Sequence, residues 1–144
     1  MTTWVWTDGT LSAEADARIG ATDRGVLLGE GVFETCKVID GAPFALTRHL
    51  ARLRRSADAI GMALPISDST IRSACAKAVG AALVDPDADG EVGRLRITVT
   101  GGVGPLGPRR GDQDPTLVVA AGPGPTWAPT TDVVTVDWLS LIHI

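Results

Sequence analysis

Between Gly31 and Ile60 the spacing of apolar residues changes at Asp40-Gly41, and few folds accommodate that change. Before it, alternation puts Phe33, Thr35, Lys37 and Ile39 on one face of an extended segment and Glu34, Cys36 and Val38 on the other. After it, Leu46, Leu50, Leu53, Ala57 and Ile60 recur at spacings of 4, 3, 4 and 3, which is the stripe of an amphipathic helix. Asp-Gly supplies the positive φ angles of a tight hairpin turn. A strand, a turn and a helix in this order predict a helix laid back on a sheet, with Thr47 expected at the helix N-cap.

The rest of the chain extends the same pattern. Trp4 to Leu11 read as a strand that turns at Asp8-Gly9, so a β-hairpin opens the sequence. A second helix is predicted from Asp68 to Val84, after the cap candidates Ser67 and Asp68, with Ile71, Cys75, Ala78, Val79, Ala82 and Leu83 facing a core. The acidic stretch Asp85 to Gly90 ends it. Arg94 to Thr100 alternates as a half-buried strand, and Thr116 to Ala121 reads as a more continuous apolar one. Six of the nine prolines fall between Pro105 and Pro129, so residues 123–131 read as a stiff linker, with a new strand from Val133 to Trp138. No internal repeat is visible. The expected organisation is an α+β domain over residues 1–122, an antiparallel sheet with two helices packed on it, then the linker, then the first strand of a second domain over 132–144.

At 144 residues, one domain is the expectation, large enough to bury roughly 68 to 70% of its unfolded surface. A net charge of −4 and the lack of any Lys/Arg-rich block argue against nucleic acid as a partner. Cys36 and Cys75 stand without metal-ligand spacing, so neither a metal site nor a disulfide is expected. No segment approaches 18 consecutive apolar residues, and the first ten residues lack the cationic and apolar regions of a secretion signal. A soluble cytoplasmic protein without membrane contact is the expectation.

Two constellations carry chemistry. On the first helix, at about 100° per residue, His49, Arg52 and Ser56 cluster beside the apolar stripe, whereas Arg48 and Arg55 lie farther from it. An arginine at the edge of a packed face can present a rigid fork of donors to a phosphate. Periodicity alone ranks a snorkelling surface arginine ahead of that reading. On the strand, Phe33, Thr35 and Lys37 share a face where a cation would suit a carboxylate, but Lys37 can equally be a lysine that guards a sheet edge. Gly102, Gly104 and Gly107 form a literal G-x-G-x-x-G after a strand. Pro105, Pro108, Arg109 and Arg110 break the helix that a dinucleotide fingerprint needs, so that motif is read as a decoy.

The block DRGVLLGEGVFETCKVIDGAPF, from Asp23 to Phe44, and LTRHLARLRRSADAIGM, from Leu46 to Met62, resemble the opening domain of the class IV family of pyridoxal-phosphate-dependent aminotransferases and lyases. The family's helix begins H-x-x-R-L, and its arginine binds the cofactor phosphate. His49, Arg52 and Leu53 match that motif, which reverses the ranking and makes Arg52 the expected cofactor-binding residue. The resemblance also implies that Phe33, Thr35 and Lys37 line the substrate side of the pocket, for a small amine bearing a carboxylate. It further implies a homodimer at full length and a Schiff-base lysine from a second domain, beyond Ile144. Neither Lys37 nor Lys77, the only two lysines, matches the position of that lysine, so no catalytic residue is expected in this chain.

Within the family, D-amino acid aminotransferases carry an arginine and a histidine where this chain has Leu106 and Pro108. The run VTGGVGPLGPRRG looks most like the branch of 4-amino-4-deoxychorismate lyases, which implies formation of 4-aminobenzoate and pyruvate toward folate. A branched-chain or D-amino acid aminotransferase is the alternative, and a non-catalytic binding module is the alternative outside enzymes. The ending LSLIHI departs from the family and can be spelled by a transposon-end sequencing adapter, so Leu139 to Ile144, His143 included, are expected to be an artefact. The isolated chain is expected to expose apolar surface and to be poorly soluble.

Overall fold

The computed structural model describes residues 2–86, 92–109, 111–125 and 128–135. Nine elements run in the order β1 (Trp4–Thr7), β2 (Thr10–Ala13), α1 (Arg24–Leu28), β3 (Gly31–Ile39), β4 (Ala42–Pro43), α2 (Leu46–Ala59), α3 (Asp68–Val84), β5 (Val92–Thr100) and β6 (Leu117–Pro123). The strands form one six-stranded sheet in the order β2-β1-β6-β5-β3-β4, with every neighbouring pair antiparallel. The expected α+β class, an antiparallel sheet with helices on one face, is what the chain adopts.

Both Asp-Gly dipeptides turn as the sequence predicts. Asp8 and Gly9 have φ of 42° and 103°, Asp40 and Gly41 of 49° and 73°, so each pair takes the left-handed backbone that a two-residue hairpin requires. β3 alternates without a break: Val32, Glu34, Cys36 and Val38 are buried, and Phe33, Thr35, Lys37 and Ile39 are exposed. The buried face meets Leu50, Leu53 and Ala57 of α2, while α3 covers β1, β5 and β6. On α3 the alanines Ala74, Ala78 and Ala82, one turn apart, share one buried cluster with Leu95, Ile97 and Val119 of the sheet. Each fully buried Leu or Ile here contributes on the order of 1.5 to 3 kcal/mol.

Several expectations are corrected. Thr47 is not the N-cap of α2. The helix starts at Leu46, its cap is Ala45 in a left-handed conformation with no side-chain hydrogen bond, and the Thr47 hydroxyl instead accepts from Arg72 Nη2 at 2.8 Å. Ser67 does cap α3, accepting from the Thr70 amide at 3.1 Å. Ile60 and Leu83, predicted to face the core, are 45% and 52% exposed; Ile60 is the C-cap beyond the last residue of α2, and Leu83 lies one residue before the end of α3. β5 begins at Val92 rather than Arg94, and β6 reaches Pro123, one residue into the expected linker. α1 was not predicted; five residues are too short for a period, but Asp23 caps it by accepting from the Gly25 amide at 2.7 Å. Of the strand expected from Val133 to Trp138, residues 133–135 belong to no strand and the remainder lies outside the described residues, as does the LSLIHI ending. No helix among the described residues is long and apolar enough to cross a membrane.

Candidate functional site

β3 is one strand from the end of the sheet. Its outer neighbour β4 pairs only with Val38 and Ile39, so the stretch from Gly31 to Lys37 presents an edge with no strand beside it among the described residues. α2 packs over this edge strand, which brings its His49 and Arg52 to the one carboxylate on the strand's buried face, Glu34. Arg52 Nε donates to Glu34 Oε1 at 2.6 Å and Nη2 donates to Oε2 at 2.5 Å, the parallel fork that a guanidinium makes with a carboxylate. His49 Nδ1 lies 2.7 Å from Glu34 Oε2. A carboxylate only accepts, so Nδ1 carries a proton there, and Arg52 Nη2 at 3.4 Å from it is a neighbour rather than a donor to it.

The two partners of this ion pair sit in different surroundings. The Glu34 side chain is 3% exposed and that of Arg52 is 60% exposed. Hydrogen bonds from Arg52 hold the Glu34 carboxyl below the ordinary carboxylate range; burial works in the opposite direction, and His49 adds to the lowering. Pairing with Glu34 in turn tightens the guanidinium's hold on its proton. Of the five guanidinium N–H groups, two are committed to Glu34, which leaves both on Nη1 and one on Nη2 without an acceptor among the described residues. An arginine fixed along one edge and free along the other suits a phosphate group, whose oxygens accept from the free N–H groups.

On the sheet face away from the helices, Phe33, Thr35 and Lys37 lie in line with Thr98, Arg96 and Arg94 of β5, their register partners. Arg96 stacks on the Phe33 ring, its Cζ 3.7 Å from the ring centroid. Three cations, Lys37, Arg94 and Arg96, thus occupy adjacent positions of two strands, all exposed, and among the described residues none of them pairs with a carboxylate. The sequence singled out Lys37 and missed both arginines; their signal was the alternation of Arg94 and Arg96 with buried Leu95 and Ile97. It also missed Glu34, although a carboxylate between Val32 and Cys36 on a buried face must have a partner.

The G-x-G-x-x-G run opens no helix: Gly102 to Gly107 lie in the β5–β6 connection, and Gly102, at φ 77°, has room for no side chain because a Cβ would fall 1.8 Å from the Asp114 carbonyl oxygen. Cys36 and Cys75 are buried and free, and burial pushes their thiols up to about 11 and about 12. Lys77 is exposed on α3.

Residues 31–139 match the family described as Amino-transferase class IV. The chain belongs to the class IV aminotransferase family. Its class IV relatives carry more than one activity by name. A putative branched-chain-amino-acid aminotransferase of Methanocaldococcus jannaschii is 32% identical over 123 residues, 84% of this chain and 40% of that protein. A D-alanine aminotransferase of Bacillus licheniformis is 35% identical over 66 residues, 46% of this chain and 23% of that protein. Among solved structures, 4-amino-4-deoxychorismate lyase from Pseudomonas aeruginosa superposes with a TM-score of 0.68 at 30% identity, covering 86% of this chain and 41% of its own. The chain thus spans at most about two fifths of each of these relatives.

Proposed function

We propose that this chain supplies the cofactor-holding wall of a pyridoxal-phosphate-dependent enzyme. Arg52 would hold the cofactor phosphate, and Phe33, Thr35 and Lys37 would line the substrate side. The Glu34–Arg52 fork carries this reading, because it leaves a rigid set of free N–H donors at an uncovered sheet edge. A solved structure of a hypothetical aminotransferase from Mycobacterium tuberculosis, 28% identical at a TM-score of 0.66, is described as pyridoxal-phosphate-bound. When bound, the cofactor supplies an electron sink that acidifies the C–H beside a substrate amine. The residues of this chain orient and bind: Glu34 fixes the guanidinium, His49 holds Glu34, and the β3 face meets the substrate. We assign no proton transfer to Lys37 or Lys77.

For the reaction we propose 4-amino-4-deoxychorismate lyase, with Lys37, Arg94 and Arg96 as the supporting observation. Three adjacent cations suit a substrate with two carboxylates, whereas a branched-chain or D-amino acid offers only one at its α-carbon. The second reading, an aminotransferase, is favoured by the relatives named above and by the apolar ring of Phe33 on the same face.

Titrating the chain with pyridoxal phosphate tests the first step: saturable binding that is lost in Arg52→Gln is expected, and equal binding by that variant overturns the assignment of Arg52. A protein carrying this chain within a relative-length sequence should release 4-aminobenzoate and pyruvate from 4-amino-4-deoxychorismate. Turnover only of branched-chain or D-amino acids with a 2-oxo acid supports the aminotransferase instead. Neither activity, with no cofactor bound, supports a non-catalytic binding module.

A further inference from the structure

Among its described residues the connection between β5 and β6, residues 101–116, forms no helix or strand beyond a single antiparallel bridge from Val103 to Asp23, yet it is fastened to one short segment at both ends and at its tip. At its start, Arg24 N donates to Gly102 O at 2.9 Å and Gly104 N donates to Thr22 O at 3.3 Å. At both ends, the fully buried Asp23 carboxylate accepts from Thr100 Oγ1 at 2.8 Å and from Thr116 Oγ1 at 2.7 Å. At its tip, the Arg24 guanidinium donates to three consecutive carbonyl oxygens. Nη1 reaches Gly107 O at 3.2 Å and Arg109 O at 3.1 Å, and Nη2 reaches Pro108 O at 3.2 Å. Nε pairs with Glu30 Oε2 at 2.7 Å.

Three features separate this from an ordinary surface ion pair. Arg24 is 2% exposed, so its bonds form out of water, where each is stronger. Four of its five N–H groups have acceptors, and three of those acceptors are backbone oxygens of the loop. Glycine follows the pair at position 25, where a Cβ would meet Thr100 Cγ2 at 2.4 Å, so the chain can approach the sheet closely enough for Asp23 to reach both ends of the loop and Arg24 its tip.

We propose that Arg24 is a positioning residue that sets the course of the 102–109 loop, making it a fixed rim at the Phe33 end of the open sheet face rather than a mobile lid. Gly31 pairs with Thr100 and Phe33 with Thr98, so this loop leaves the sheet two residues beyond the Phe33–Thr98 pair. Its tip, with Leu106 83% exposed, is held by the Arg24 guanidinium. The inference concerns the loop alone and does not depend on the cofactor assignment.

Hydrogen exchange of the peptide spanning 101–109 in the native chain tests it. In Arg24→Lys, which keeps a cation beside Glu30 but has no fork for three carbonyls, that peptide should exchange about tenfold faster, the worth of one hydrogen bond to a charged group, while β5 and α3 peptides keep their rates. Glu30→Gln, which leaves the fork on the carbonyls, should exchange at the wild-type rate. Arg24→Gln combined with Glu30→Gln removes both buried charges together, keeps the fold accessible if the single variant fails, and should match Arg24→Lys. Wild-type exchange in Arg24→Lys or in the double variant overturns the proposal. So does a Glu30→Gln rate as fast as that of Arg24→Lys, which would make the ion pair, not the fork, the fastener.

Discussion

Arg52 holds Glu34 by two parallel hydrogen bonds, Nε to Oε1 and Nη2 to Oε2, although one side chain is almost wholly buried and the other largely in solvent. The buried partner fixes the exposed one. Replacing Arg52 with Lys keeps a positive charge but forfeits the fork. Inorganic phosphate titrated calorimetrically into Arg52→Lys should bind about tenfold more weakly or worse, the worth of one hydrogen bond to a charged group. Equal affinity would remove the geometric basis for Arg52.

The same pair makes stability depend on pH. Because Arg52 holds the folded-state carboxyl of Glu34 below its ordinary value of 4.5, the unfolded chain takes up this proton first as pH falls. The contribution is complete above the ordinary value and is lost as pH falls through the folded value. Urea midpoints of the wild type should therefore drop across that window, and Glu34→Gln should flatten the drop. A variant with the same slope as the wild type would show that other carboxylates account for it.

Burial separates two leucine-like positions that the sequence pattern treats alike. Leu53 is 0% exposed and Ile60 is 45% exposed, although both belong to the predicted stripe of one helix. Leu53→Ala should cost roughly 2 to 5 kcal/mol, and Ile60→Ala about 0.5 kcal/mol or less. Chemical denaturation of the two variants side by side tests the assignment, and similar costs would contradict it.

Ala45 enters α2 with φ of 53°, a conformation that disfavours a Cβ. Ala45→Gly should raise the unfolding midpoint, by roughly 1 kcal/mol or less once the greater freedom of glycine in the unfolded chain is set against the relieved strain. A lowered midpoint would mean that the turn tolerates alanine without strain.

Both thiols should resist alkylation in the folded state. Cys36 and Cys75 are buried, with thiols pushed up to about 11 and about 12, so little thiolate exists near neutrality and access to it is blocked. Mass spectrometry after iodoacetamide should find neither modified natively and both modified in urea.

What could be read from the sequence follows from how locally each feature is encoded. β3, α2, α3 and both Asp-Gly turns are written in periods and dipeptides, and the chain forms all of them. The sheet order places β5 between β3 and β6, although α2, α3 and β4 separate β3 from β5 in the chain, and no local pattern states this. For that reason Arg94 and Arg96 became neighbours of Lys37 only in the fold. Thr47 failed as a cap because the turn before α2 closes two residues earlier, on a left-handed alanine that no capping preference anticipates. Arg24 was overlooked for a different reason: its partners are carbonyl oxygens more than eighty residues away, and backbone acceptors leave no trace in residue identity.

The strict alternation of β3 makes a single strand answerable to two sides at once. If it paired with β5 one residue out of step, Lys37 and Phe33 would be driven under the helices and Glu34 would swing into water, leaving Arg52 and His49 without their acceptor. A chain misassembled in this way would be unstable for the same reason that it could hold no ligand. Folding fidelity and binding geometry are therefore tested by one event, the choice of register at Gly31.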